Sequence, residues 1–170
     1  MEHDDHVFIS ADATKAYQSL NESVSKVQRD IYFVHNSYFV IVDIVDSQEP
    51  VELDWRIHAN GPMQLGDATF RYTGSKAGFY GQVIWSEAGP GTLTQETGFE
   101  GVDPEDYEGL PVSSCLNAKF PASHRHRIAV MLVPYRLDAP QRIFSFLDDQ
   151  GYDCDLYFTD ADERLSLIHI

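Results

Sequence analysis

The residues able to do chemistry are few and scattered along the chain. His58 closes an alternating stretch with Arg56 two residues before it, and His124-Arg125-His126-Arg127 runs directly into the apolar Ile128–Tyr135. Imidazoles exchange protons near neutral pH and guanidinium groups hold anions, so these two places are candidates to face a substrate. An exposed polar residue at a strand end is the plainer account of each. Tyr80, and Trp85 with Ser86 and Glu87 beside it, are suited to stacking on a ring, whereas Trp55 between Leu53 and Ile57 belongs to a core. His3-Asp4-Asp5-His6 puts four possible metal ligands in a row. Metal centres gather ligands from separated, rigidly held segments, so a solvated terminus and no metal are expected there. Asp103, Glu105 and Glu108 lack the spacing of a calcium loop. A nucleophile elbow, a phosphate-binding glycine loop, H-E-x-x-H and C-x-x-C are all absent.

The elements that must position these residues are strands. From Arg29 to Asn60 three apolar runs, Ile31–His35, Tyr38–Val45 and Val51–His58, are separated by His35-Asn36-Ser37 and Ser47-Gln48-Glu49-Pro50. Such short polar connections leave no room for crossover helices and predict an antiparallel meander. The third run alternates, with Leu53, Trp55 and Ile57 on one face and Glu52, Asp54, Arg56 and His58 on the other. Tyr38–Val45 is apolar on both faces until Asp43, as in a strand covered on both sides. Further strands are expected at Val7–Ser10, Ala68–Tyr72, Tyr80–Ser86, Thr92–Thr97, Ile128–Tyr135, Arg142–Leu147, Asp155–Thr159 and Leu165–Ile170, punctuated by glycine and proline. Phe99–Ser114 reads as a long acidic surface loop. Ala11–Leu20 has good helix formers, with Asp12 able to cap them.

Composition narrows the class. A chain of 170 residues, 43% hydrophobic, with 9 Tyr, 10 Phe and 2 Trp, predicts one domain over residues 1–170: an all-β, antiparallel β-sandwich of about ten strands with little helix. The net charge of −15, with only 12 Lys and Arg in no dense cluster, argues against nucleic acid and against an anionic membrane as partners. No apolar run is long enough to span a bilayer, and the first residues lack the pattern of a signal peptide. Cys115 and Cys154 allow at most one disulfide, and two buried thiols are the plainer expectation.

Ser10–Tyr17 (SADATKAY), Arg29–Val34 (RDIYFV), Tyr38–Asp43 (YFVIVD) and Trp55–His58 (WRIH) together resemble the C-terminal β-sheet region of heparinase II/III-like polysaccharide lyases, over roughly residues 5–136. The resemblance implies a strand end and long turn at Ala11–Leu20 in preference to a helix. It also implies a parent enzyme, periplasmic or secreted, that cleaves uronate-containing polysaccharide by β-elimination. In that family the base, the acid and a divalent metal are held mainly by an α/α-toroid domain and an earlier β segment. His35-Asn36 matches an H-N pair by letters alone, in the wrong context. No catalytic residue and no metal ligand is therefore carried over, and this chain is expected to support the toroid and border the substrate cleft. Under this reading His58, Arg56, Arg125, Arg127, Tyr80 and Trp85 are the candidate carbohydrate contacts. An autonomous carbohydrate-binding module is the alternative. A small enzyme or metal protein would need His3, His6, His58 or His124 to converge.

Overall fold

The computed structural model describes residues 6–34, 36–97, 113–138, 155–159 and 165–169, with His6 and the last two stretches as backbone only. Among these residues ten strands and one short helix follow one another: β1 (His6–Asp12), α1 (Thr14–Gln18), β2 (Val24–Val34), β3 (Tyr38–Ala59), β4 (Met63–Leu65), β5 (Thr69–Thr73), β6 (Ala77–Ser86), β7 (Thr92–Thr97), β8 (Ser114–Arg136), β9 (Asp155–Thr159) and β10 (Leu165–His169). The chain is all-β and antiparallel, as its composition and turn spacing imply. Strands β1 to β8 form one hydrogen-bonded sheet in the order β1-β2-β3-β8-β6-β5-β4, with β7 also paired to β8. The β9–β10 pair is a separate two-stranded sheet.

Two long strands organise this sheet. The first half of β3 pairs with β2, while nearly the whole of β3 pairs with β8. The second half of β8 in turn carries β6, and its first half carries β7. The turn expected at Ser47-Gln48-Glu49-Pro50 is not made. The register passes from Asp46 opposite Arg125 to Val51 opposite Ser123, so four residues of β3 face one of β8, and the strand continues through a wide bulge. Pro50 sits where the ladder loses no donor, and the Gln48 N–H is satisfied by Ser23 O at 2.8 Å. At the hairpin that does form, Asn36 supplies the left-handed residue with φ 50°. The three-strand meander is thus a β2–β3 hairpin followed by a strand extension.

The bulge folds the sheet over on itself. Away from the bulge, odd residues of β3 and even residues of β8 share one face, and one core cluster holds Trp55, Leu116, Ala118 and Phe120 from one half of the ladder with Ile128 and Val130 from the other and Phe70 of β5. The Trp55 and Phe70 rings lie 6.0 Å apart across this interior. Two layers result. The larger contains β1, β2, the first half of β3, the second half of β8, β6, β5 and β4; the smaller contains the second half of β3, the first half of β8, and β7. On one side the layers meet, with the Met63 N–H of β4 donating to Gln95 Oε1 of β7 at 2.6 Å. The outer face of the larger layer buries a second cluster of Val34, Tyr38, Val40, Met131 and Val133.

Ala11–Leu20 divides. β1 runs to Asp12, after which Thr14–Gln18 is helical, correcting the preference for a long turn. Just before it, Asp12 Oδ1 accepts the Thr14 N–H at 2.8 Å, and hydrogen bonds to the Thr14 side chain and backbone hold the Asp12 carboxyl below the usual aspartate range. Residues 99–112 of the expected acidic loop, the strand expected at Arg142–Leu147, His3 to Asp5, His35 and Cys154 lie outside the described residues. Cys115 is buried.

His126 pins the fold-over. It is fully buried on the core face, and its Nε2–H donates to Val51 O, just past the bulge, at 2.8 Å. Replacing it by alanine strands that carbonyl and leaves a cavity, so His126→Ala is expected to lower stability in urea denaturation by about 2–4 kcal/mol. A change under about 0.5 kcal/mol would show that the corner does not depend on it.

Candidate functional site

Four of the sequence-derived candidates fall on the outer face of the larger layer. Arg125 and Arg127 project from β8 on the side of Asp46, and the Arg127 guanidinium reaches the Asp46 carboxylate at 2.8 Å and Val45 O at 3.3 Å. Arg125, more exposed, lies 3.9 Å from Asp46 and 4.0 Å from Glu87. A bulge between Val83 and Trp85 turns Trp85 onto this same face, opposite Ala129, where its ring is 41% exposed. The Glu87 N–H donates to Arg127 O at 3.0 Å, tying the end of β6 to the basic stretch. A flat exposed ring beside two guanidinium groups and two carboxylates is an arrangement able to stack on and hydrogen-bond a polyol.

Tyr80 stands apart from this group. It is opposite Val133, four residues along β8 from the partner of Trp85, a separation of about 13 Å. Half-buried against the second core cluster, its hydroxyl donates to Gln82 Oε1 at 3.3 Å. Arg56 and His58 lie on the smaller layer, beyond the bulge, opposite Asn117 and Cys115. They are exposed on the outward face that the alternation of residues 51–58 implies, and Arg56 meets Asp54 at 3.1 Å. The six candidates are therefore distributed over two layers. Of the alternative pair His124 and His126, the first is exposed and the second is the buried corner residue.

A second place was not legible as a site. A cleft of ≈ 570 Å³ opens between α1, β2 and both halves of β3, lined by Tyr17, Leu20, Asn21, Val24, Val27, Arg29, Asp43, Val45 and the stretch Val51–Arg56. Arg29 and Asp43 meet across the β2–β3 ladder in a two-point ion pair, Nε to Oδ1 at 2.7 Å and Nη2 to Oδ2 at 2.9 Å. The bond to Asp43 raises the Arg29 pKa above the ordinary arginine value, so the guanidinium is cationic throughout the working range. The only signal in the sequence was Asp43 as a lone carboxylate in an apolar run. Among the described residues no group of three or more His, Cys, Asp or Glu side chains is placed to hold a metal ion.

No family model matches the chain, and no curated protein matches it in sequence. Solved structures do match in fold. Heparan sulfate lyase HepC from Pedobacter heparinus aligns with a TM-score of 0.63 at 11% identity over 100% of this chain. A heparinase III gene product aligns at 0.62 and 16% identity, and a further heparinase III at 0.60 and 12% identity, each over 99% of the chain. In every case the chain spans only 26% of the matched structure. The chain has the fold of a part of these lyases.

Burial raises the pKa of the Tyr38 phenol, and of Tyr80 likewise, above the ordinary tyrosine value. A raised folded-state value contributes stability that is complete below the unfolded pKa of about 10 and is lost as pH climbs above it. Stability is therefore expected to fall from about pH 10 upward, and Tyr38→Phe to flatten that decline by up to about 1.4 kcal/mol per pH unit. Urea midpoints between pH 8 and 11.5 decide it; parallel alkaline limbs for the two proteins would refute the assignment.

Proposed function

We propose that this chain is the C-terminal β-domain of a larger heparinase II/III-like polysaccharide lyase, in which it supports the catalytic toroid and borders the substrate cleft without being catalytic alone. The carrying observation is the match of the whole chain to about a quarter of three lyase structures, one of them a heparan sulfate lyase. Uronate β-elimination needs a base, an acid and a group that neutralises the carboxylate, brought to one carbon. Here the candidate His, Arg and Tyr side chains are spread over two layers, in keeping with a domain whose chemistry is completed elsewhere. An accessory domain also keeps apolar surface for its neighbour, and β1 exposes Val7, Phe8 and Ile9, each more than half accessible. The polysaccharide, the toroid and any divalent metal belong to the parent under this reading.

A second reading, an autonomous carbohydrate-binding module, is favoured by one observation: Trp85 is exposed beside Arg125, Arg127, Asp46 and Glu87. One experiment separates the two. The purified chain is mixed with heparan sulfate and other uronate polysaccharides while the absorbance of unsaturated product and the heat of binding are recorded. Neither signal is expected. Heat without product, abolished by Trp85→Ala, would favour the binding module. Product formed by the chain alone would overturn the accessory role.

A further inference from the structure

The cleft between α1, β2 and β3 lies apart from the Trp85 surface, and its walls bring together three distinctive groups. At ≈ 570 Å³ it falls within the about 300–1,000 Å³ usual for small-molecule sites. Arg29 is the first group. Asp43 takes two of its five N–H donors, at 2.7 and 2.9 Å, so the guanidinium is held in one orientation while it remains 44% exposed. The fork geometry directs the other three donors away from Asp43. Tyr17 is the second group: it is 51% exposed, and its phenol lies near enough to favour the charged form of Arg29 electrostatically. It stands on α1, a helix that buries none of its own residues. That helix adds nothing to the core, yet it is fastened to β2, since the Val27 N–H donates to Thr14 Oγ1 at 2.9 Å and the Ala13 N–H donates to Val27 O at 2.9 Å. Trp55 is the third group. It lines the cleft from the core cluster, 3% exposed, and its indole N–H finds no hydrogen-bond partner among the described residues. Buried donors are nearly always paired, and an acceptor on a bound molecule is a partner of the right kind.

Charge narrows the class of ligand. Arg29 is paired with Asp43, Arg56 meets Asp54 at 3.1 Å, and Glu52 adds a further carboxylate, so the residues lining the cleft carry one negative charge in excess on a chain of net charge −15. An anionic ligand is repelled by that field, and a cation meets two guanidinium groups. A hydroxyl suits paired ions better than either, because it donates to a carboxylate and accepts from a guanidinium at once. Neighbouring hydroxyls on a saturated ring repeat that match, and the C–H face of such a ring stacks on an aromatic side chain such as Tyr17.

We propose that this cleft binds an uncharged pyranose unit, with its ring against Tyr17 and its hydroxyls on Arg29 and Asp43. The activity proposed above concerns uronate polysaccharide, so this is a separate site for a different class of sugar, and it stands whether or not that reading holds.

Tryptophan emission of the full chain in a Trp85→Phe background tests this, because Trp55 is then the single indole. Titration with cellobiose, maltose and lactose is expected to show saturable binding of at least one of them, by Trp55 emission or by calorimetric heat, with half-saturation in the millimolar range or below. Tyr17→Ala, which removes an exposed side chain, is expected to weaken that binding at least tenfold. Arg29→Lys, which keeps a charge opposite Asp43 but not the fork, should weaken it to a similar degree. Neither an emission change nor heat with any of the three sugars overturns the proposal, as does binding that Tyr17→Ala leaves intact. Tighter binding of glucuronate-containing oligosaccharides than of the neutral sugars also overturns it, by assigning the cleft to an anionic ligand.

Discussion

Two strands of 22 and 23 residues, laid against each other, cannot stay straight inside a protein of this size. At about 3.3 Å per residue each would extend roughly 70 Å, while a compact chain of 170 residues has a diameter of about 40 Å. Either the ladder breaks or it folds over. The bulge from Ser47 to Pro50 is where it folds, and His126, donating to Val51 O from within the core, holds the bend at one angle. Everything downstream follows from that corner. Trp55 comes to lie against Phe70, Leu116 and Phe120 join the core of Ile128 and Val130, and two layers arise from one hydrogen-bonded sheet.

A folded-over sheet is complete only if its layers are equally wide, and here they are not. Three strand segments face seven. The uncovered width falls on β1 and β2, which explains why Val7 and Ile9 are exposed although the register places them on the core face. It also explains why an ion pair, Arg29 with Asp43, stands on a face otherwise apolar. Near the open margin Arg29 remains 44% accessible while Asp43 is only 11% accessible, so the cation keeps part of its hydration and the carboxylate is satisfied by two charge-assisted bonds. Deeper in the core the same pair would lose more to desolvation than it regains.

Much of the strand content was legible because period-two alternation depends only on which side is buried. Residues 51–58 show it, while the strands at Thr92–Thr97 and Asp155–Thr159 stand out as short runs of strand formers bounded by turn residues. The first half of β8 carries a period-two signal in Leu116, Ala118 and Phe120, yet no strand was expected there. Ser47 to Pro50 has turn chemistry, yet a turn and a wide bulge use the same residue types, and only the partner strand, more than seventy residues away, selects between them. The cleft was hidden for the same reason. Arg29 and Asp43 become neighbours through cross-strand register, which local pattern does not encode. Conversely, His126 shares its parity with Ile128 and Val130, so its burial was available in the alternation although its basic neighbours drew it toward the surface.

The long ladder also sets the order in which the molecule can be made. Its contacts join residues separated by 55 positions, Ala59 with Ser114, up to 93, Phe39 with Leu132. Contacts so distant along the chain make folding slow, since loop closure is unfavourable until many pairs form together. During synthesis at about 5–20 residues per second, the second half of β3 waits roughly 3–11 s for its first partner residue. Through that interval the apolar run from Tyr38 to Val45 has only the β2 hairpin beside it. The nascent chain therefore carries an adhesive half-sheet before it carries a domain.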